Sequence, residues 1–110
     1  MSVISPCPVL TALSVIGGKW KPIILYVIRN ESKRFSEIKQ MIPTITPKML
    51  TQHLRELEKD GIVSRKIYPV IPPKVEYSLT KFGRSLRPML TKIADWGESY
   101  KRYQVEKPCK

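Results

Sequence analysis

Cysteine and histidine are scarce in this chain of 110 residues, which has two cysteines and one histidine. The cysteines, Cys7 and Cys109, stand near opposite ends, whereas small disulfide-rich scaffolds carry densely spaced, paired cysteines. A structural zinc site needs about four clustered cysteine or histidine ligands. We therefore expect a reducing compartment, no metal and no cofactor.

The chain also lacks long apolar runs, the longest being the six residues 23–28. A membrane-spanning helix needs roughly 20 apolar residues, and residues 1–8 lack the charged start and apolar stretch of a signal peptide. Internal repeats, low-complexity tracts and Gly/Ser linkers are absent too. We expect a soluble cytoplasmic protein with no membrane partner, folded as one domain over residues 1–110 with flexible ends at 1–7 and 104–110.

Catalytic signatures are missing as well. The only histidine, His53, has no serine, cysteine or carboxylate partner at a spacing typical of a catalytic site. Gly17-Gly18-Lys19 lacks the full spacing of a phosphate-binding loop. The sequence therefore predicts no catalytic residue and no enzyme, and we expect His53 to pack a helix or to lie close to a nucleic acid.

Acidic residues are few relative to basic ones. Twenty Lys and Arg against nine Asp and Glu give a formal net charge of +11. A hydrophobic fraction of 42% is too high for a disordered basic tail. We therefore expect a folded protein with a polyanionic partner such as nucleic acid.

Apolar spacing predicts three short helices before residue 43. The first begins near Pro8, and the second contains the apolar residues 23–28. The third covers residues 37–42 with Ser36 as its N-cap. All three carry apolar residues on the side expected to face a core.

The fourth helix is the best-marked element. Thr46 suits the N-cap, Pro47 the first helical position and Gly61 the C-terminal stop. Its apolar positions follow i, i+4, i+7 spacing at Leu50, Leu54 and Leu57. Two helices joined by a short turn, the second with a polar first turn, are typical of a helix-turn-helix.

Two extended runs, residues 62–68 and 75–79, flank a proline-rich segment and predict a hairpin with a basic, proline-stiffened tip. Thr80 then caps a last helix, which Pro88 should kink or divide. The predicted fold class is mainly α with a small β hairpin (α+β), in the order of a winged helix-turn-helix.

The outward face of the fourth helix suits the major groove of DNA. Gln52 has the amide geometry for an adenine edge, and Arg55 has the fork for guanine O6 and N7. Lys48 and Thr51 suit phosphate contacts or a mixed role, and we place Thr46 in the same DNA-binding set. The carboxylates come at the end of the helix, at Glu56, Glu58 and Asp60. The alternative is an ordinary solvated helix face.

The hairpin offers a second DNA contact through its basic residues. Arg65, Lys66 and Lys74 flank or lie on this wing, where a cation can enter a minor groove or clamp a phosphate. The alternative is that these charges protect exposed strand edges from pairing with another chain.

Several separate motifs occur in an order that identifies a family resemblance. They are Cys7-Pro8, Gly17-Gly18-Lys19-Trp20, Arg34-Phe35, Lys48-Met49-Leu50-Thr51, Leu54-Arg55-Glu56-Leu57-Glu58, Asp60-Gly61, Pro72-Pro73-Lys74-Val75-Glu76-Tyr77 and Leu79-Thr80 with Gly83. Over roughly residues 6–97 the chain resembles the HxlR-type winged helix-turn-helix transcriptional regulators, which are MarR-like.

The resemblance implies a homodimeric DNA-binding regulator whose first and last helices build the dimer interface. The residues support this independently, because the terminal helices carry more apolar side chains than a small core can cover. The predicted interface residues are Leu10, Leu13, Leu86, Leu90, Ile93, Trp96 and Tyr100. Such a dimer would read a pseudo-palindromic operator in double-stranded DNA. The alternative is that the last helix folds back over its own core.

Cys7 is the candidate regulatory residue. It stands just before a helix start, where amide donors and the helix dipole favour a thiolate. Family members with a cysteine at this position include sensors of oxidants and electrophiles, so the resemblance implies redox sensing, with an oxidant or small electrophile as effector. Cys109, in a tail beside Pro108, is a candidate thiol for resolving a Cys7 oxidation product across the dimer. The alternatives are an inert Cys7 and, for the whole protein, a non-specific architectural protein that coats DNA.

Overall fold

The computed structural model of the protein describes residues 7–106 and confirms the predicted order of helices and hairpin. The elements are α1 (Pro8–Ile16), α2 (Trp20–Val27), α3 (Phe35–Met41), α4 (Pro47–Lys59), β1 (Val63–Tyr68), β2 (Lys74–Leu79), a short 3-10 helix (Gly83–Leu86) and α5 (Arg87–Glu106). The fold is mainly α with one two-stranded antiparallel hairpin, as the sequence predicts.

The core lies between α2, α3, α4 and the base of the hairpin. Ile24 and Leu25 of α2 are fully buried, and so is Ile38 of α3. Leu50, Leu54 and Leu57 of α4 fill the same core, which confirms the i, i+4, i+7 prediction. Their burial turns the opposite side of α4 outward.

Local signals in the sequence set both ends of α4. The backbone N–H of Met49 donates a 3.1 Å hydrogen bond to Oγ1 of Thr46, which confirms Thr46 as the N-cap. The helix ends at Lys59. Gly61 then has a backbone φ of +79, a conformation that residues other than glycine rarely adopt.

The prediction for the start of α3 is wrong by two positions. The N-cap is Arg34 rather than Ser36, and the backbone N–H of Arg34 donates a 2.7 Å hydrogen bond to Oε1 of Glu37. Lys33 forms an isolated β-bridge with Tyr77, exchanging backbone hydrogen bonds of 2.9 and 2.8 Å. This bridge holds the chain extended through Arg34, so the helix begins at Phe35.

Pro88 divides the last helical region as predicted, whereas the N-cap residue of the 3-10 helix is Phe82 rather than Thr80. Thr80 Oγ1 still accepts a 2.9 Å hydrogen bond from the backbone N–H of Gly83, the first residue of the 3-10 helix. Pro88 is the second residue of α5, where a missing amide donor costs nothing, and it separates this helix from the 3-10 helix. Residues 104–106, placed in a flexible end by the sequence, continue α5, whereas residues 1–6 and 107–110 lie outside the described residues.

Candidate nucleic-acid interface

One face of α4 gathers the side chains predicted to read DNA. Lys48, Thr51, Gln52 and Arg55 line a single open groove. Lys48, Gln52 and Arg55 are exposed, while Thr51 is partly buried. Four donor-bearing side chains within about two turns, all on the face opposite the buried leucines, form a surface that can enter a major groove.

Thr46 lies at the N-terminal end of the same surface. Its oxygen is engaged as the acceptor of the helix cap, and its O–H remains a donor for a phosphate. The structure therefore gives Thr46 a structural role whatever it contacts in DNA.

Glu56 also lines this groove, which the sequence did not predict. Its Oε1 lies 2.8 Å from Nζ of Lys21 on α2, and its Oε2 accepts a 3.3 Å hydrogen bond from Nε2 of Gln52. The hydrogen bond from Lys21, followed by the one from Gln52, lowers the pKa of the Glu56 carboxyl below its ordinary value. The i, i+4 spacing of Gln52 and Glu56 was the sequence signal for part of this cluster.

His53, a residue of α4, lies beside this cluster. Its Nδ1 is buried, lies 3.7 Å from Oε1 of Glu56, and makes no hydrogen bond with any residue in the part of the chain that the structure describes. The role expected of His53, packing a helix or lying close to a nucleic acid, stays a prediction.

The hairpin divides its three predicted DNA contacts between two faces. Arg65 points toward α4, with Nε 3.7 Å from Oε2 of Glu58. Lys66 and Lys74 lie on the other face, with their Nζ atoms 4.9 and 5.1 Å from the centre of the Tyr68 ring. Lys74 also pairs with Glu76 at 3.2 Å, which lowers the pKa of that carboxyl. Arg65 can therefore act together with α4, whereas the two lysines form a separate cationic pair.

The tip of the hairpin is apolar, although the sequence predicts a basic one. Val70 and Ile71 are both exposed, and the side chain of Ile71 has no covering residue. The basic residues lie on the strands because Lys74 is the first residue of β2 rather than part of the loop. The exposed apolar tip is thus, after Glu56 in the groove, the second feature that the sequence did not predict.

The model of the HxlR-like helix-turn-helix family matches residues 15–105. The chain belongs to this family. It is 56% identical over 95 residues to the HTH-type transcriptional regulator YdeP of Bacillus subtilis (strain 168), covering 86% of this chain and 74% of YdeP. The family and its named relatives are helix-turn-helix transcriptional regulators, so this HxlR-like protein is a DNA-binding transcriptional regulator and not an enzyme.

Two redox-related proteins are among the similar solved structures. The oxidized form of the redox regulator HypR matches with 56% identity and a TM-score of 0.82, covering 84% of this chain and 96% of that one. Its reduced form matches with 52% identity and a TM-score of 0.84, covering 93% and 100%. Diamide-treated YodB from B. subtilis matches with 38% identity and a TM-score of 0.70, covering 86% and 94%.

The HxlR-like chain exposes much of the apolar surface predicted to form a dimer. Leu10, Leu13 and Ile93 are more than half exposed. Trp96 and Tyr100 are exposed too, and their rings stack with centroids 5.4 Å apart. Two predicted residues differ from these, because Leu90 is only 2% exposed within its own core and Leu86 is partly buried against it. Leu90 has no surface to offer a partner, so its assignment to the interface is corrected.

Cys7 is the N-cap residue of α1, and its side chain is exposed. Its carbonyl accepts a 3.2 Å hydrogen bond from the backbone N–H of Thr11, which ties it to the first turn of α1. Cys109, the second predicted thiol, lies outside the described residues. Over residues 7–106 no cluster of His, Cys, Asp and Glu could hold a metal ion, and no helix is long and apolar enough to cross a membrane.

Proposed function

We propose that the protein is a homodimeric regulator that reads a pseudo-palindromic operator through α4, its recognition helix, and that modification of Cys7 controls this binding. The observation that carries the proposal is the groove of α4, where Lys48, Thr51, Gln52 and Arg55 meet on one outward face. In this arrangement Arg55 reads guanine and Gln52 reads adenine. The phosphate backbone of DNA is contacted from α4 by Thr46, Lys48 and Thr51. It is contacted from the wing by Arg65, Lys66 and Lys74.

The shape of the chain supports a dimer. Its radius of gyration is 16.1 Å, against about 13 Å expected for a compact chain of this length. The longest dimension is 58 Å, and residues 98–106 of α5 are all exposed. A helical segment without tertiary packing is marginal in water. A partner that packs along this half of α5 would stabilise it and cover Trp96 and Tyr100.

A competition experiment tests sequence-specific reading. Duplexes from the DNA upstream of the protein's own gene, chosen as the segments that the protein protects, are competed against random duplexes of equal length at physiological salt. We expect specific binding to exceed non-specific binding by about 10³ or more. Equal affinities for both duplexes would contradict the proposal and favour an architectural protein that coats DNA.

The regulatory part of the proposal rests on the exposure of Cys7 and on the similarity to HypR and YodB, solved in oxidized or diamide-treated forms. With diamide, two thiols lose two electrons and two protons to the N=N bond, giving one disulfide and one hydrazine. With a quinone, the Cys7 thiolate forms a C–S bond to a ring carbon, and protonation leaves a hydroquinone thioether. Either product changes the start of α1, beside the predicted dimer surface.

Diamide or quinone treatment followed by measurement of operator affinity tests this mechanism. We expect the wild type to lose affinity and Cys7→Ser to keep it. Cys109→Ser is the matched control: it keeps the quinone response, and it loses the diamide response only if Cys109 supplies the second thiol. An identical loss of affinity in wild type and Cys7→Ser would rule out Cys7 as the sensor.

A further inference from the structure

Glu56 links the recognition helix to α2 and to the side chain expected to read adenine. Its two carboxylate oxygens have different partners, Lys21 at 2.8 Å and Gln52 at 3.3 Å. The Lys21 side chain is only 13% exposed, whereas that of Glu56 is 44% exposed. One end of this chain of contacts is therefore anchored inside the protein, and the other lies on the DNA-reading face.

Lys21 holds the Glu56 carboxylate in place through the 2.8 Å contact between Nζ and Oε1. A glutamate is ionised at neutral pH at its ordinary pKa, and the hydrogen bond from Lys21 is the largest cause that lowers the pKa of Glu56 further. An ionised carboxylate has no proton to donate and acts only as an acceptor. The positive charge of Lys21 also offsets the negative charge of Glu56, which reduces repulsion between this groove and DNA phosphates.

The acceptor-only character of Glu56 limits how the Gln52 amide can be oriented. A glutamine amide has two N–H donors on one side and a carbonyl acceptor on the other, and its last torsion is soft. A free side chain can therefore exchange the positions of donor and acceptor. Beside Glu56, only the orientation that turns Nε2 toward the carboxylate forms a hydrogen bond.

This orientation matches the needs of an adenine edge. One N–H of Gln52 donates to Glu56, which leaves the other N–H and Oε1 for DNA. Adenine presents an acceptor at N7 and a donor at its N6 amino group in the major groove. The remaining pair of groups on Gln52 is complementary to that pattern without any further rearrangement.

We propose that Glu56, held by Lys21, is a positioning residue that fixes the amide orientation with which Gln52 reads adenine. The inference rests on the proposed function, in which Gln52 contacts a base. The pair is more specific than either residue alone, because Gln52 contacts the base and Glu56 orients Gln52 without itself contacting DNA.

The decisive variant is Glu56→Gln, which keeps the size of the side chain but can donate as well as accept. Binding to a randomised duplex pool first locates the operator position at which Gln52→Ala loses its preference for adenine. We expect the preference for adenine over the other bases to fall about fivefold or more, which is the lower end of the discrimination that one bidentate base contact provides. Glu56→Gln should lose preference at the same position, and the double variant should lose no more than Gln52→Ala.

Glu58→Gln is the matched control, because it removes the same charge from the same helix while leaving the Gln52 contact intact. It should keep the wild-type base preference, and melting temperatures confirm that each variant is folded. Base-specific loss in Gln52→Ala with wild-type preference in Glu56→Gln overturns this inference alone. No base-specific loss in Gln52→Ala overturns it together with the proposed reading by Gln52. Equal losses in Glu56→Gln and Glu58→Gln would show a charge effect and overturn the positioning role.

Discussion

Arg55 and Lys48 lie on the same face of α4, two helical turns apart, and we expect them to contribute to binding in different ways. The guanidinium of Arg55 can bond two atoms of one guanine, so Arg55→Ala should cost about 1–3 kcal/mol at one base position and relax preference there. Lys48 is a point charge near phosphates, so Lys48→Ala should weaken binding to all sequences and reduce the salt slope by about 1. Dissociation constants for the operator and its single-base variants, measured at several salt concentrations, separate the two effects.

Lys59→Ala is the control for Lys48→Ala, since it removes the same charge from the last residue of α4. It should change the salt slope less than Lys48→Ala does. If Arg55→Ala and Lys48→Ala both weaken binding to all sequences equally, then Arg55 does not recognise a base while Lys48 contacts phosphate, and the proposed difference between the two residues is wrong.

Local sequence patterns, the helix caps and the leucine spacing, predicted the position and the outward face of α4, which carries most of the candidate site. Thr46, Pro47 and Gly61 determine the ends of α4, and the leucine spacing determines which face turns outward. The role of Glu56 was not predictable from that pattern, because its partner Lys21 is on another helix, 35 residues away in the sequence (56 − 21). Glu56, which the sequence analysis assigned to the last turn of α4, therefore lines the same groove as the residues proposed to read DNA.

Boundaries that depend on tertiary contacts were predicted less well than those with local caps. The start of α3 depends on the bridge between Lys33 and Tyr77, a residue of β2 that no local pattern connects to α3. The burial of Leu90 depends on the packing of α5 against α2, so its helical spacing alone could not assign it to the core or to an interface.

The wing contains a cationic pair whose contribution to DNA binding can be measured directly. The Nζ atoms of Lys66 and Lys74 lie 4.9 and 5.1 Å from the centre of the same Tyr68 ring. If both contact phosphates, Lys66→Ala/Lys74→Ala should lower the salt slope by about 2 and weaken specific and random duplexes alike, because each contact releases counterions. Titrations of both duplexes over a range of salt concentrations test this.

Lys81→Ala/Arg84→Ala is the control, since it removes two exposed charges from the turn and the 3-10 helix that follow the hairpin rather than from the hairpin itself. An unchanged salt slope in the wing variant, accompanied by faster aggregation, would instead support the protection of strand edges. The two explanations for these lysines thus lead to different measurements.

Over the entire protein, charge and shape address different requirements of a regulator. The net charge of +11 attracts DNA of any sequence and makes binding sensitive to salt. In the proposed dimer, the exposed half of α5 is the surface that a second copy of the chain covers. Two recognition helices about one helical turn apart on DNA discriminate an operator that one helix could not find in a genome.

Trp96 provides the sharpest test of the dimer. In a two-fold interface each substitution removes a side chain from both copies, and truncating a central tryptophan typically costs about 2 kcal/mol or more, roughly a 30-fold loss of affinity. We therefore expect Trp96→Ala to dissociate at protein concentrations where the wild type sediments as a dimer. Operator affinity should fall with it, because single subunits bind only half-sites.

Met41→Ala is the matched control, because Met41 is an exposed apolar residue of α3, away from α1 and α5. It should leave the sedimentation behaviour unchanged, and its melting temperature should rise with protein concentration as that of the wild type does, whereas the melting temperature of the dissociated Trp96→Ala should rise less. A wild type that sediments as a monomer at all concentrations would remove the dimer from the proposed function. A dimer equally stable in Trp96→Ala would place the interface elsewhere, since a partner on this face must cover the exposed Trp96 ring.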